Sequence, residues 1–147
     1  MSRLNPAPAG YKWFVMSESD EVQIGVDGVI EWRDSGGELH RVGGPARVFP
    51  SGREEWFDHG RLHRTDGPAV VHANGSVKYY FDGVRHREDG PACVYVNGTE
   101  KWYRDGKRHR DDGPAAIYPD GRRVWFIEGE KVREERSARQ PSLVKAR

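Results

Sequence analysis

Apolar and polar positions along this chain recur with a constant period of 23 residues. The clearest copy begins at His63-Arg64, passes Gly67-Pro68-Ala69-Val70-Val71 and Asn74-Gly75, and ends at Tyr79-Tyr80 and Asp82-Gly83. One period forward stand His86-Arg87, Gly90-Pro91-Ala92, Asn97-Gly98, Trp102-Tyr103 and Asp105-Gly106. The next period brings His109-Arg110, Gly113-Pro114-Ala115, Asp120-Gly121 and Trp125-Phe126, and one period before the clearest copy lie His40-Arg41, Gly44-Pro45-Ala46, Ser51-Gly52 and Trp56-Phe57. Within a period Ala92, Val94 and Val96 alternate with Cys93 and Tyr95, which predicts a strand. The Asx-Gly that follows is a hairpin signal, because glycine supplies a positive φ at little steric cost. The returning strand ends in the aromatic pair, and a second turn follows at Asp82-Gly83, Asp105-Gly106 and Glu128-Gly129.

A fixed period of this length is the mark of a repeat architecture. The expected fold is all-β: an elongated, twisted, single-layer antiparallel sheet of stacked hairpins, each covering its neighbour. Tyr11 to Met16 reads as an extra strand. Glu21 to Trp32 reads as a degenerate first unit, with Val22, Ile24 and Val26 where Ala46, Val48 and Pro50 fall later, and with one residue inserted near Ser35-Gly36-Gly37. The repeat domain then covers 11–133 in roughly five hairpin units. Residues 1–10 are expected to form a loose arm, and the charged stretch 134–147 a short capping helix or a disordered tail.

Turn length decides which aromatic row faces the core. A proline at position i+1 followed by Gly, as in Phe49-Pro50-Ser51-Gly52 and Tyr118-Pro119-Asp120-Gly121, suits a three-residue loop. That loop sets Ala69 opposite Tyr79 and places the Trp56/Tyr79/Trp102/Trp125 row in the core. Phe57, Tyr80, Tyr103 and Phe126 then line the other face, either as an exposed strip rich in the residue types of hot spots and so a candidate binding surface, or covered by the long side chains of Lys78, Lys101 and Glu55. A two-residue loop would exchange the rows.

Composition narrows the function classes. Hydrophobic residues make up 35% of the 147, too few for a thick core but enough for thin stacked units. The net charge of +1, from 24 basic and 23 acidic residues, gives no global attraction to nucleic acid. The lone Cys93 allows no internal disulfide and fits a reducing, cytoplasmic setting. There is no apolar run of spanning length, and no signal-peptide pattern opens the chain.

Candidate chemistry is repetitive. His40, His63, His86 and His109 form a ladder, but equivalent residues two strands along are about 10 Å apart. No metal is expected to bridge them; each should stack on its neighbours or bond a turn carbonyl. His59 and His72 break the period and read as incidental surface residues. Cys93 stands where Val70 and Ala116 stand, as a small apolar filler. No singular cluster of nucleophile and base appears, so no enzyme, cofactor or catalytic residue is expected. Arg64, Arg87 and Arg110 could offer a row of cations to phosphates or carboxylates, or each could pair with its own corner Asp.

The stretch Trp102-Tyr103-Arg104-Asp105-Gly106-Lys107-Arg108-His109, followed by Tyr118-Pro119-Asp120-Gly121, resembles the 23-residue MORN-type repeat, the membrane occupation and recognition nexus. The Asp-Gly-Pro-Ala variant is more similar to the divergent MORN-like repeats of bacterial antitoxin or immunity proteins and of viral and phage proteins. The resemblance spans about Val22 to Lys131. It implies a curved sheet of hairpins that binds proteins, sometimes at membranes, and carries over no catalytic residue. The function expected is therefore non-enzymatic protein binding by an inhibitor or immunity protein that occludes its target. The alternatives are an anionic ligand or nucleic acid held by the arginine row, or self-assembly through the sheet edges into a homo-oligomer.

Overall fold

The computed structural model describes residues 12–15 and 21–138; the predicted arm 1–10 and the end of the predicted tail lie outside them. The strands are β1 Lys12–Val15, β2 Glu21–Ile24, β3 Ile30–Arg33, β4 Arg47–Val48, β5 Glu54–Glu55, β6 Phe57–Asp58, β7 Arg61–Leu62, β8 Val70–Val71 and β9 Val77–Lys78. They continue as β10 Tyr80–Phe81, β11 Val84–Arg85, β12 Cys93–Val94, β13 Glu100–Lys101, β14 Tyr103–Arg104, β15 Lys107–Arg108, β16 Ala116–Ile117, β17 Arg123–Ile127 and β18 Glu130–Glu135. There is no helix among the described residues. The expected all-β fold is present: a 12-stranded antiparallel sheet runs β1-β2-β3-β4-β5-β8-β9-β12-β13-β16-β17-β18.

The second hairpin of each central unit leaves that sheet. The pairs β6-β7, β10-β11 and β14-β15 are separate two-stranded ribbons. The branch lies at the first aromatic of each pair. Tyr79 donates its N–H to Ala92 O at 2.7 Å, keeping its place in the large sheet, while its carbonyl accepts the His86 N–H at 3.3 Å and closes the ribbon. Trp56 and Trp102 divide their backbone groups in the same way, between Ala69 and His63 and between Ala115 and His109. Successive ribbons are joined by a few backbone bonds: Gly83 N–H to Leu62 O at 2.8 Å and Arg64 N–H to Tyr80 O at 3.3 Å, then Gly106 N–H to Arg85 O at 2.9 Å and Arg87 N–H to Tyr103 O at 3.3 Å.

The loops are of the three-residue type. Gly75 donates to His72 O at 2.9 Å and His72 donates to Ser76 O at 2.8 Å, with Gly75 at φ 89°. This registers Val71 with Val77 and Val70 with Lys78, as the proline spacing predicts. The ribbon turns are tighter, with both central residues at positive φ: Asp82 and Gly83 at 47° and 83°, Asp105 and Gly106 at 48° and 81°. That pair of angles matches the right-handed twist of the flanking strands.

The core is thin and two-sided. Ala46, Ala69, Ala92 and Ala115 are fully buried on one face of the large sheet, and Val70, Cys93 and Ala116 on the other. This corrects the expectation of one closed face and one open face. Both aromatic rows are half-buried: Trp56/Tyr79/Trp102/Trp125 is not in the closed core where it is expected, and Phe57/Tyr80/Tyr103/Phe126 is not an open strip, because arginine side chains lie over its rings. The far end is also corrected: β18 pairs along β17 where a helix or a loose tail is expected from residue 134, and every residue of β18 is exposed and most are charged. Charged side chains on a terminal strand discourage edge-to-edge pairing.

Candidate functional site

The arginine row is built into the corners. Arg64, Arg87 and Arg110 each lie over the first aromatic of the preceding copy, at 4.1 Å from Trp56, 4.0 Å from Tyr79 and 4.2 Å from Trp102. Each donates Nε–H to its corner aspartate, Asp66, Asp89 or Asp112, at 2.8 to 3.0 Å, and Nη1–H to the carbonyl of Pro68, Pro91 or Pro114 at 3.2 Å. The corner glycine leaves room for this fit: a Cβ at Gly90 would stand 3.0 Å from the Arg87 guanidinium carbon and push the side chain off its place. Pairing of each arginine with its own corner is thus what the geometry contains. Asp66 is held below the usual carboxylate range by the hydrogen bond and charge of Arg64.

The second aromatic row is occupied as well. Arg85 sits between Tyr80 and Tyr103, at 5.9 and 5.4 Å, and Arg108 between Tyr103 and Phe126, at 5.9 and 5.0 Å. Arg47 covers Phe57 at 5.6 Å. Beneath this ladder Cys93 is fully buried, and burial pushes its thiol up, which suits a filler and not a nucleophile.

The histidine ladder binds turns, through a different backbone group than expected. Nδ1 of His63, His86 and His109 accepts the N–H of Asp82, Asp105 and Glu128 at 3.0 to 3.1 Å; the partner is a turn N–H, not a carbonyl. Each acceptor thereby fixes a non-glycine residue held at positive φ, a conformation that costs about 1 kcal/mol or more. His109 goes furthest, since its Nε2 also meets Asp111 Oδ1 at 2.8 Å. That hydrogen bond is the main reason the Asp111 carboxyl lies below its ordinary range.

The open surface lies between consecutive corners. One groove of about 600 Å³ is lined by Arg64, Asp66, Tyr79, Phe81, His86 and Glu88. Its neighbour, one unit along, is about 830 Å³ and is lined by Arg87, Asp89, Trp102, Arg104, His109 and Asp111. The arginines form the floor. The rim is acidic, with Glu88 92% and Asp112 84% exposed, and Phe81 is an exposed ring held between His63 and His86. Sequence reasoning did not single out Phe81, because Asp58, Arg104 and Ile127 occupy the same place in other units; its singularity was the available signal.

Among the described residues, two overlapping groups of side chains have the separations of metal ligands: Asp34, Glu38 and His59, and His40, Asp58 and His59. Both share His59, at the β6-β7 turn. No helix is long and apolar enough to cross a membrane among the described residues. No family model and no curated protein matches the chain, so the resemblance to MORN-type repeats stands on its motifs.

Proposed function

We propose that the protein is a non-enzymatic scaffold that binds a protein partner along its row of corner grooves. The observation that carries this is the recurrence of one groove at one-unit spacing, with an acidic rim, an arginine floor and the Phe81 ring. A repeated groove suits an extended partner segment with basic side chains, which would meet Asp66, Glu88 and Asp89 while an apolar side chain packs on Phe81. Aromatic anchors inside a polar rim are the usual makings of a hot spot. Occlusion of the partner would make the protein an inhibitor, in the manner its resemblance implies. The arginines have internal partners at every corner, so nothing in the geometry favours an anionic ligand over this reading.

Affinity capture tests the proposal, using wild type beside Phe81→Ser and a Glu88→Lys/Asp89→Lys double variant, with folding checked by circular dichroism. A partner retained by wild type and lost by both folded variants is the expected result. A partner retained equally by all three places the interface elsewhere and overturns the groove reading. A retained partner that is an enzyme should lose activity on titration with the wild-type chain.

A further inference from the structure

The corner that the sequence repeats is built once with different chemistry. In the regular copies the residue at the first positive φ of the second turn is Asp82, Asp105 or Glu128. At the β6-β7 turn, the first of the series, it is His59, at φ 42°. Its ring stacks on His40, with centroids 4.1 Å apart and planes 13° from parallel. The His59 N–H donates to His40 Nδ1 at 3.3 Å, so the ladder contact is kept while a second imidazole is added.

The inserted residue supplies the other half. It lengthens the preceding turn to Asp34-Ser35-Gly36-Gly37-Glu38, closed by the Arg33–Leu39 bridge. Asp34 Oδ1 accepts the N–H groups of Gly36 and Glu38 at 2.9 and 3.0 Å. That locks the carboxylate and aims Oδ2 at His59 Nδ1, 2.6 Å away. Glu38 ends the same turn, exposed, with its carboxylate inside the same 4.8 Å cluster. On the other side of the ring, Asp58 Oδ1 stands 3.7 Å from His59 Nε2.

We propose that this first corner is a binding site for a divalent transition-metal ion of the zinc class, with His59 Nδ1, Asp34 and Glu38 as ligands. One imidazole and two carboxylates form a donor set that zinc accepts, with bonds of about 2.0–2.2 Å, and three protein ligands leave a position for water. The ion takes the place of the proton now shared between Nδ1 and Oδ2. Asp58 and His40 act behind the ligands: the Asp58 carboxylate, 3.7 Å from Nε2, sets a negative charge on the far side of the ring, and His40 fixes the ring plane by stacking. The nitrogen ligand selects against calcium and magnesium, which take oxygen. The regular corners have no second imidazole, and the His63 corner, with one histidine and the single acid Asp82 in the same backbone frame, serves as a control inside the molecule.

The test is calorimetric titration of the full, untagged chain with zinc, and with cobalt(II) read by its visible absorption. Wild type should bind one equivalent. His59→Asn, which tolerates positive φ, and Asp34→Asn, which keeps an acceptor for the turn, should each weaken binding by about tenfold or more. Asp82→Asn at a regular corner should leave it unchanged. Should a variant unfold, the wild type still decides: zinc must shift the His59 ring signals in NMR and leave those of His63, His86 and His109 in place. Absence of saturable binding up to about 1 mM, equal competition by calcium, or binding that survives both first-corner variants overturns the proposal.

Discussion

The first ribbon turn and its three later equivalents, the two other ribbon turns and the β17-β18 turn, share one backbone and differ in what they hold. In the regular turns His63, His86 and His109 each meet one turn N–H and one acid on the turn residue. In the first turn His40 meets a second histidine, and Asp34, Glu38 and Asp58 converge on that ring. The regular version is what a repeat requires: a contact that fixes a positive-φ residue so that the next ribbon lands in register. The first version keeps that contact and gathers unlike groups around it. Position in a repeat therefore separates two kinds of histidine that composition cannot distinguish. One is demanded by every unit; the other departs from the period where an insertion also departs from it.

The largest expected effect asks whether the first unit really shares the packing of the others. Ala46 and Ala92 are both fully buried at the same repeat position. Ala92→Leu should destabilise by about 1–3 kcal/mol through overpacking, and Ala46→Leu by a similar amount, measured by urea denaturation. A tolerated Ala46→Leu beside a damaging Ala92→Leu would mean that the first unit is packed differently and that its turn cannot be compared with the rest.

The corner arginines sharpen the comparison at a smaller scale. Arg87 has a ring, an aspartate and a carbonyl. Arg41 has the Trp32 ring at 4.0 Å and Pro45 O at 3.2 Å, but Gly43 stands where the others have aspartate. Arg87→Ala should cost about 1–2 kcal/mol, and Arg41→Ala a few tenths less, because an exposed ion pair adds little. Equal costs would show that the aspartate contributes nothing measurable. Next comes His63→Ala, which leaves the Asp82 N–H without its acceptor and should cost about 1 kcal/mol while zinc binding is untouched. Loss of zinc binding in that variant would tie the two kinds of corner together and break the distinction.

Much of this was legible because the period writes the fold several times. The proline before Ser51-Gly52 and Asp120-Gly121 fixed the loop length, and loop length fixed the register of Val71 on Val77. The departure of the ribbons was harder to see. Nothing in Trp56-Phe57 or Trp102-Tyr103 states that the first aromatic divides its N–H and carbonyl between two sheets. That depends on the neighbouring unit. The covering of Tyr103 by Arg85 and of Phe126 by Arg108 was hidden for the same reason, since each arginine comes from the preceding ribbon. His59 was visible as an exception, yet its neighbours Asp34 and Glu38 lie more than twenty positions earlier, and only the inserted turn brings them to it.

The smallest effect, and the most specific, is the pH dependence of the first turn in the metal-free chain. The hydrogen bond from Asp34, helped by the charges of Asp58, Asp34 and Glu38, raises His59 above its ordinary value, and the same contact is the main cause lowering Asp34. A histidine raised on folding contributes stability that is fully present below its unfolded value, about 6.5, and is lost as pH rises through the folded one. An aspartate lowered on folding contributes stability that is fully present above about 3.9 and is lost as pH falls through the folded one. The pair therefore acts fully between those two values and fades on either side, as Asp34 is protonated below and His59 loses its proton above. His72 works in the opposite sense: burial first, then Lys78 and Arg53, lower it, so its protonation below its ordinary value opposes folding in any variant that keeps it. Comparing wild type with His59→Asn cancels that shared term. Urea midpoints should differ at pH 5.5, with wild type the more stable, and should converge by pH 8.5. A difference that is the same at both values would mean that His59 acts at this turn through packing on His40 alone, and that its charge is not what distinguishes the first corner.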